Sequence, residues 1–352
     1  MNYLIFRTDR IGDFLIISTL IKSIKRNDPK SKIFIVASKK NEEFIKKNHL
    51  VDEVFLLRSK KISERIKLFL ELRKYKFDNI IVSDKKNRSI ILTLLLKSKN
   101  KLFNVSKFSQ KKFLNIFYNN VFIDNDKIEN QSVKDILSIN CKSLQLSLKE
   151  EDFHYLKRDQ FKDNYSHSNF LDLNNLKFLV FHYDEKWEIK NYSKLFKKAS
   201  NFTNISINKN VFKNFLIDLS KKTSQNIIVT TGTIQTNLIN EIKKSSKKIN
   251  ESLYELDLMG LKGYLFTSED FYSISHLISK SSQFISCHGA FTHIASNYKI
   301  KILDVIEKSK FIHYGKITNS MKNYKSLYRD NFETLSKDNL ASLLSPCWQM
   351  MR

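Results

Sequence analysis

The sequence predicts an α/β protein made of two Rossmann-like, doubly wound domains. Three observations carry this. The chain is 352 residues long, more than one ordinary core accommodates. Short β-rich runs alternate with amphipathic helical runs through its first half. The alternation pauses in a polar stretch and then resumes.

In the first half the strands fall at Tyr3–Phe6, Lys32–Ala37, Val54–Leu57, Asn79–Val82 and Lys101–Val105. Helices are expected between them at Phe14–Arg26, Asn41–Lys47, Ser63–Lys74 and Arg88–Lys97. Strands separated by single helices form βαβ units, hence a parallel sheet covered on both faces. A helical segment around Ser132–Leu144 follows, and then a charged stretch from Lys149 to Asn175 that cannot bury a continuous face and reads as a linker. Beyond it the alternation returns, with strands at Phe178–Phe181, Asn226–Thr230, Gln283–Ser286 and Lys301–Val305. Helices are expected at Val211–Thr223, Thr236–Ser245, Phe271–Lys280 and Phe291–Asn297. The division expected is an N-terminal domain over 1–165, a C-terminal domain over 166–334 and a helical tail over 335–352. Two such domains facing each other would leave a cleft at the carboxyl ends of their sheets, where this architecture takes its ligands.

Composition narrows the function classes. Charges at Arg7, Asp9, Arg10 and Asp13 interrupt the first apolar stretch, so no signal peptide or membrane span is expected. Cys141, Cys287 and Cys347 match neither a zinc pattern nor a disulfide framework, which suits a reducing cytoplasm. The net charge of +25 comes with abundant Lys, Asn and Ile and with few Gly and Pro, a profile that AT-rich coding alone produces. One stretch stands apart: Lys85 to Ile123 contains no acidic residue and nine basic ones, interleaved with Phe103, Phe108, Phe113, Phe117 and Tyr118. Such a segment suits nucleic acid or an anionic membrane surface; alternatively Phe113, Leu114, Phe117 and Tyr118 form one buried helical face.

Three loops placed after strands carry the chemistry. In RTDRIGDFLIISTLIKSIK, residues 7–25, Gly12 and Asp13 sit where a strand passes into a helix. Gly12 permits close ligand approach or a positive φ; Asp13 is a helix cap or an active-site carboxylate. In ISCHGAFTHIAS, residues 285–296, His288, Gly289, Thr292 and His293 surround a helix start whose amides, hydroxyl and imidazoles suit a diphosphate. In FHYDEKWEIKNYS, residues 181–193, Lys186 can pair with a phosphate while Trp187 packs.

Together these loops resemble the lipopolysaccharide heptosyltransferase family (glycosyltransferase family 9), in order and spacing along nearly the whole chain. The resemblance implies a GT-B fold and a metal-independent, inverting transfer of a sugar from a nucleotide-diphosphate donor such as ADP-heptose, with no further cofactor. The acceptor would be the lipopolysaccharide core or another anionic glycolipid, met by a cytoplasmic protein at the inner-membrane surface. Asp13 would be the general base. Gly12, Lys186, His288, Gly289, Thr292 and His293 would bind the donor, and Arg10, Lys107, Lys111 and Lys112 would meet acceptor or membrane. The chain departs from the family in lacking an acidic residue in the 287–293 loop, and in having Tyr183 and Asp184 where Pro-Gly is often found.

Three other readings remain open. Asp124-x-Asp126 is the metal-binding pattern of the other main glycosyltransferase fold. The basic stretch could serve nucleic acid, although no RNA-binding signature is present and nucleic acid is not the expected partner. A catalytically silent relative would keep the fold and bind a glycan or partner.

Overall fold

The computed structural model describes residues 1–59, 61–124, 132–153, 177–187, 209–267, 270–298, 300–307 and 310–328. Most of the expected linker, the 335–352 tail, Asp126 and Cys347 lie outside them. The chain divides into two compact units, Met1–Ser166 with Ile312–Ser320, and His167–Phe311 with Met321–Arg352. The grouping of 312–320 with the first unit differs from the expected 166–334 domain, and no change of composition marks it in the sequence.

In the first unit, β1 (Asn2–Phe6), β2 (Lys32–Ala37), β3 (Glu53–Leu56), β4 (Phe77–Val82), β5 (Ser98–Val105) and β6 (Val121–Ile123) form one parallel sheet in the order β3-β2-β1-β4-β5-β6. Tyr3, Leu4, Ile5 and Phe6 are all fully buried, as a strand covered on both faces requires. Helix α1 (Ile11–Asn27) buries Phe14, Leu15, Ile17, Leu20, Ile21 and Ile24, the apolar positions that recur at helical spacing. Arg26, in its last turn, makes a two-pronged contact with Asp152 at 3.2 and 2.6 Å, so the helix end is tied to the turn at Glu150–Phe153. After the short α2 (Glu42–Lys46), helices α3 (Ile62–Leu72), α4 (Asn87–Leu95) and α5 (Phe108–Leu114) share one core. They pack Leu68, Leu72, Leu92 and Leu114 onto a single sheet face. Helix α6 (Val133–Ser143) is capped by Ser132, whose hydroxyl accepts from the Asp135 amide.

The aromatic segment at 108–118 is the main surprise of this unit. Leu114 enters the core, Tyr118 packs partly against it, and Phe108, Phe113, Ile116 and Phe117 are exposed. The expected buried face is therefore wrong for Phe113 and Phe117. α5 has only seven residues between β5 and β6 and can turn little more than one side chain inward.

In the second unit, β7 (Phe178–Tyr183), β8 (Asn226–Thr231), β11 (Leu261–Phe266), β12 (Gln283–Cys287), β13 (Lys301–Ile306) and β14 (Tyr324–Tyr328) are parallel, in the order β14-β13-β12-β7-β8-β11. Numbered by their appearance, these six strands repeat the order of the first sheet. Covering helices are α7 (Lys209–Thr223), α8 (Asn237–Ser245), α9 (Phe271–Lys280) and the short α10 (Ala290–Ala295), while α11 (Phe311–Thr318) falls almost wholly in the 312–320 segment that groups with the first unit. Trp187 is fully buried against Phe181 and Tyr183, the packing role expected of it.

Beyond β11 the sheet continues with antiparallel β10 (Leu253–Leu258) and the two-residue β9 (Lys247–Lys248). Sequence reading misses this hairpin. Its two-residue turn places Met259 at φ 53° and Gly260 at φ 87°, a type I′ geometry that normally announces itself as Asn-Gly. Gly263 further interrupts the strand pattern, yet it is needed: a Cβ there would stand 2.4 Å from Leu258 Cδ1.

Met259 is exposed and held in the left-handed region, where an L side chain costs about 1–2 kcal/mol. Met259→Asn should raise the thermal unfolding midpoint, corresponding to a gain of up to about 1 kcal/mol. A lower midpoint would show that the turn is not strained by its side chain.

Candidate active site

In an open parallel sheet, ligands bind at the carboxyl ends of the strands where the winding direction reverses, because there the loops diverge to opposite faces. That switch point lies between β1 and β4 in the first unit and between β7 and β12 in the second. Most of the candidate residues fall on loops at these two places.

In the first unit the loop after β1 meets the loop after β4. α1 begins at Ile11, so Gly12 and Asp13 belong to its first turn; among the described residues the glycine with positive φ is Gly260, which removes that role for Gly12. Asp13 does cap the helix, accepting from the Arg10 amide at 3.1 Å. Its other oxygen is 3.0 Å from Arg7, and its side chain stays 41% exposed, so a capping carboxylate is also presented to solvent. Arg7 is nearly buried and anchored on the far side, donating to the Ser83 carbonyl at 2.5 Å. It thereby fixes Asp13 against the end of β4.

Around this pair lies a polar network that sequence reading did not single out. Asp84 is buried and accepts from Thr8 at 2.5 Å and Ser89 at 2.7 Å. Thr8 in turn accepts from Lys86 and Arg88 at 3.1 and 3.0 Å, and Lys86 pairs with Asp9. Lys85 is held in the left-handed region at φ 57° and pairs with Asp124 at 2.9 Å. Asp124 is thus engaged by a lysine, and Asp126 lies outside the described residues. Among the described residues no group of three His, Cys, Asp or Glu side chains could hold a metal ion. Arg10 is exposed at the start of α1, whereas Lys107, Lys111 and Lys112 follow β5, one strand beyond the switch point.

In the second unit, the turn after β7 brings Lys186 onto the loop after β12. Its Nζ donates to the His288 carbonyl at 2.7 Å and pairs with Asp184 at 3.0 Å. Burial disfavours the ammonium, but the Asp184 carboxylate outweighs it and the Lys186 pKa is raised, so the cation persists. Gly289 permits the approach: a Cβ there would lie 2.7 Å from Nζ. The Gly289 amide donates to Thr292 Oγ1 at 3.3 Å, which engages that amide locally.

The acidic group missing from the 287–293 loop is present in space. Asp304, fully buried on β13, takes His288 Nδ1 at 2.6 Å, Ser286 at 3.1 Å, Thr292 at 3.2 Å and the Tyr324 hydroxyl at 3.1 Å. The carboxylate fixes the His288 ring and directs Nε2 away from it. His293 is buried with its ring 5.4 Å from that of His288. A signal existed: an Asp inside the apolar run KILDVI must be paired if the strand is buried. Behind the loop, Phe291 stacks on Phe271 and meets the His182 ring edge-on at 4.8 Å.

These features define a protein of two doubly wound α/β units, and comparison places its fold more closely. No family model and no curated relative matches the sequence. Solved structures do. The E. coli heptosyltransferase WaaC with ADP superposes with a TM-score of 0.58 at 14% identity over 93% of this chain and 91% of that one. E. coli ADP-heptose lps heptosyltransferase II gives 0.62 at 12% over 98% of both. A glycosyl transferase family 9 structure from Veillonella parvula gives 0.62 at 14% over 96% and 89%. The chain has the GT-B fold of the heptosyltransferases, as the resemblance of its three loops implies. At these identities the likeness concerns the fold.

Two predictions follow from the second switch point. Asp304→Asn turns an amide NH2 toward groups that themselves donate, and should cost about 2–4 kcal/mol in chemical unfolding; an unchanged unfolding midpoint would mean that this hydrogen-bond cluster does not form. Burial also pushes His182 down from 6.5 to about 4, with Asp184 opposing and Lys186 reinforcing the shift. The unfolded chain then takes up a proton near pH 6.5 that the folded chain refuses until about pH 4. Stability present above 6.5 is lost as pH falls through this window, by roughly 3 kcal/mol. His182→Gln should flatten that part of the stability profile, and an unaltered slope would exclude His182 as its source.

Proposed function

We propose that the chain is an inverting glycosyltransferase that moves a heptose or related sugar from a nucleotide-diphosphate donor to a lipopolysaccharide-core or other glycolipid acceptor. The work would take place in the cytoplasm at the inner face of the membrane. The observation that carries the reading is the pairing of two chemistries at equivalent places in the two sheets. A fixed, solvent-facing carboxylate stands at one switch point, and a persistent ammonium with imidazole and hydroxyl groups stands at the other. Structures of the E. coli heptosyltransferase WaaC hold ADP and ADP-2-deoxy-2-fluoro heptose, which supports a nucleotide-sugar donor for this chain.

Asp13 takes the proton from the acceptor hydroxyl as that oxygen attacks the anomeric carbon. The bond from that carbon to the diphosphate oxygen breaks, the nucleoside diphosphate leaves, and the configuration inverts. Arg7 holds Asp13 in position. Lys186 balances the charge that grows on the leaving diphosphate, the part a metal ion would otherwise play, and His288, Thr292 and His293 complete the cradle beside Gly289.

A second reading, a silent glycan- or partner-binding relative, is favoured by one observation: Asp13 and Lys186 are already engaged, by Arg7 and by Asp184 with the His288 carbonyl. Donor binding and turnover separate the two. In chelator, the wild type should gain thermal stability with ADP or ADP-heptose and should transfer the sugar. Asp13→Asn should keep the donor shift and lose about two to four orders of magnitude in turnover. Gly289→Ala, which displaces the Lys186 ammonium, should reduce the donor shift instead. Donor binding without turnover in the wild type would establish the silent reading, and loss of turnover in chelator would restore a metal-dependent one.

A further inference from the structure

We propose that the outer face of α3, α4 and α5 is a docking surface for an anionic lipid bilayer. Each of these helices uses one side for the common core and carries large apolar residues on the other. On α3, Ile62, Ile66 and Leu70 recur every four residues and form a single exposed stripe, with Ile62 72% exposed. On α4, Ile91 and Leu95 do the same. On α5 and the turn after it, Phe108, Phe113, Ile116 and Phe117 are all exposed, Ile116 at 70% and Phe117 at 65%. The crossovers lay the helices across the sheet in the order α3, α4, α5, and Gln110 of α5 donates to Asn87 of α4 at 2.6 Å, so the last two are joined. Exposed large apolar side chains gathered on the outer sides of three neighbouring helices mark an interaction site.

Charge selects the occupant. α4 and α5 lie within the acid-free stretch, and Lys107 and Lys112 are exposed beside the phenylalanines, with Lys111 half-buried. α3 is mixed, with Glu64 and Glu71 beside Arg65, Lys67 and Arg73, so the charge argument belongs to α4 and α5. A second copy of the chain would bring two lysine-rich faces together, which like-charge repulsion opposes. A polyanion without acyl chains would find no use for the aliphatic stripe. A bilayer with anionic headgroups uses both: phenylalanine and isoleucine enter the boundary of headgroups and chains while lysines stay among the phosphates. None of the described helices is long and apolar enough to cross a membrane, so the contact proposed is one of surface attachment.

The surface leads to the first switch point. Arg88, in the first turn of α4, donates to Thr8, and Ile91 and Leu95 follow along the same helix. This deepens the proposed function by giving a lipid-linked acceptor a way to be met at its own surface, and rests on that function only for the nature of the acceptor.

The test is co-sedimentation of the full chain, without donor, with vesicles of phosphatidylcholine alone or of an equimolar mixture with phosphatidylglycerol. The wild type should bind the mixed vesicles and not the neutral ones. Phe113→Ser with Phe117→Ser, Ile91→Ser with Leu95→Ser, and Lys107→Glu with Lys111→Glu and Lys112→Glu should each weaken binding about tenfold or more. Circular dichroism should be unchanged, because most of these side chains are exposed. A control reversal of the exposed Lys221, Lys244 and Lys248 to Glu in the second unit should change little. Equal loss in the control, or no loss in both apolar pairs, would overturn the proposal, as would apolar variants that alter oligomeric state while vesicle binding persists. Because no turnover is measured, failure here leaves the transferase reading standing, and failure of turnover leaves this one.

Discussion

A right-handed crossover can leave the first strand of a parallel sheet in either direction, and both sheets of this chain use both. β1 has β2 on one side and β4 on the other; β7 has β8 and β12. Helices that cross on opposite faces cannot close over the strand ends between them, so each sheet is left with a gap at one defined place. Everything chemically distinctive about the molecule is arranged by that constraint.

The gap has a cost, because it brings charged groups to the ends of strands whose sides are fully buried. In the first unit Arg7 bridges Asp13 and the Ser83 carbonyl, and Asp84 gathers two hydroxyls. In the second, Asp304 collects four donors and Asp184 holds Lys186. Arg7, Asp84, Lys186 and Asp304 each have partners from more than one strand or loop, the condition under which burial of charge is tolerated. The same contacts orient the side chains a reaction would use. Stability and positioning therefore rest on the same hydrogen bonds.

Much of the fold was legible because parallel strands buried on both faces appear as continuous apolar runs, and the helices between them repeat at their own period. The strands from Tyr3 to Val105 and those at Phe178, Asn226, Gln283 and Lys301 are of that kind. The β10–β11 hairpin was not legible, since Met-Gly makes its turn in place of Asn-Gly and Gly263 breaks the alternation. Of the site, Asp13 and Lys186 stood out because each follows a clear strand. Asp304 did not, although it completes the loop around His288: its role depends on the pairing of β12 with β13, a tertiary fact. Phe113 and Phe117 misled for the opposite reason, since helical spacing specifies a face and not whether anything covers it.

One edge of the larger sheet ends in β9, only Lys247 and Lys248, both exposed and paired to β10. An open strand edge offers unpaired amides and carbonyls to any passing chain, and a long apolar one invites runaway assembly. Here β9 covers Tyr254 and Glu255 of β10 with two residues that carry two positive charges on a molecule whose net charge is +25, and the rest of that edge is the short Leu256–Leu258 end of β10. A second molecule adding its own β9 would have to bring like charge against like. The antiparallel addition that sequence reading missed thus guards the larger sheet against polymerisation at that edge.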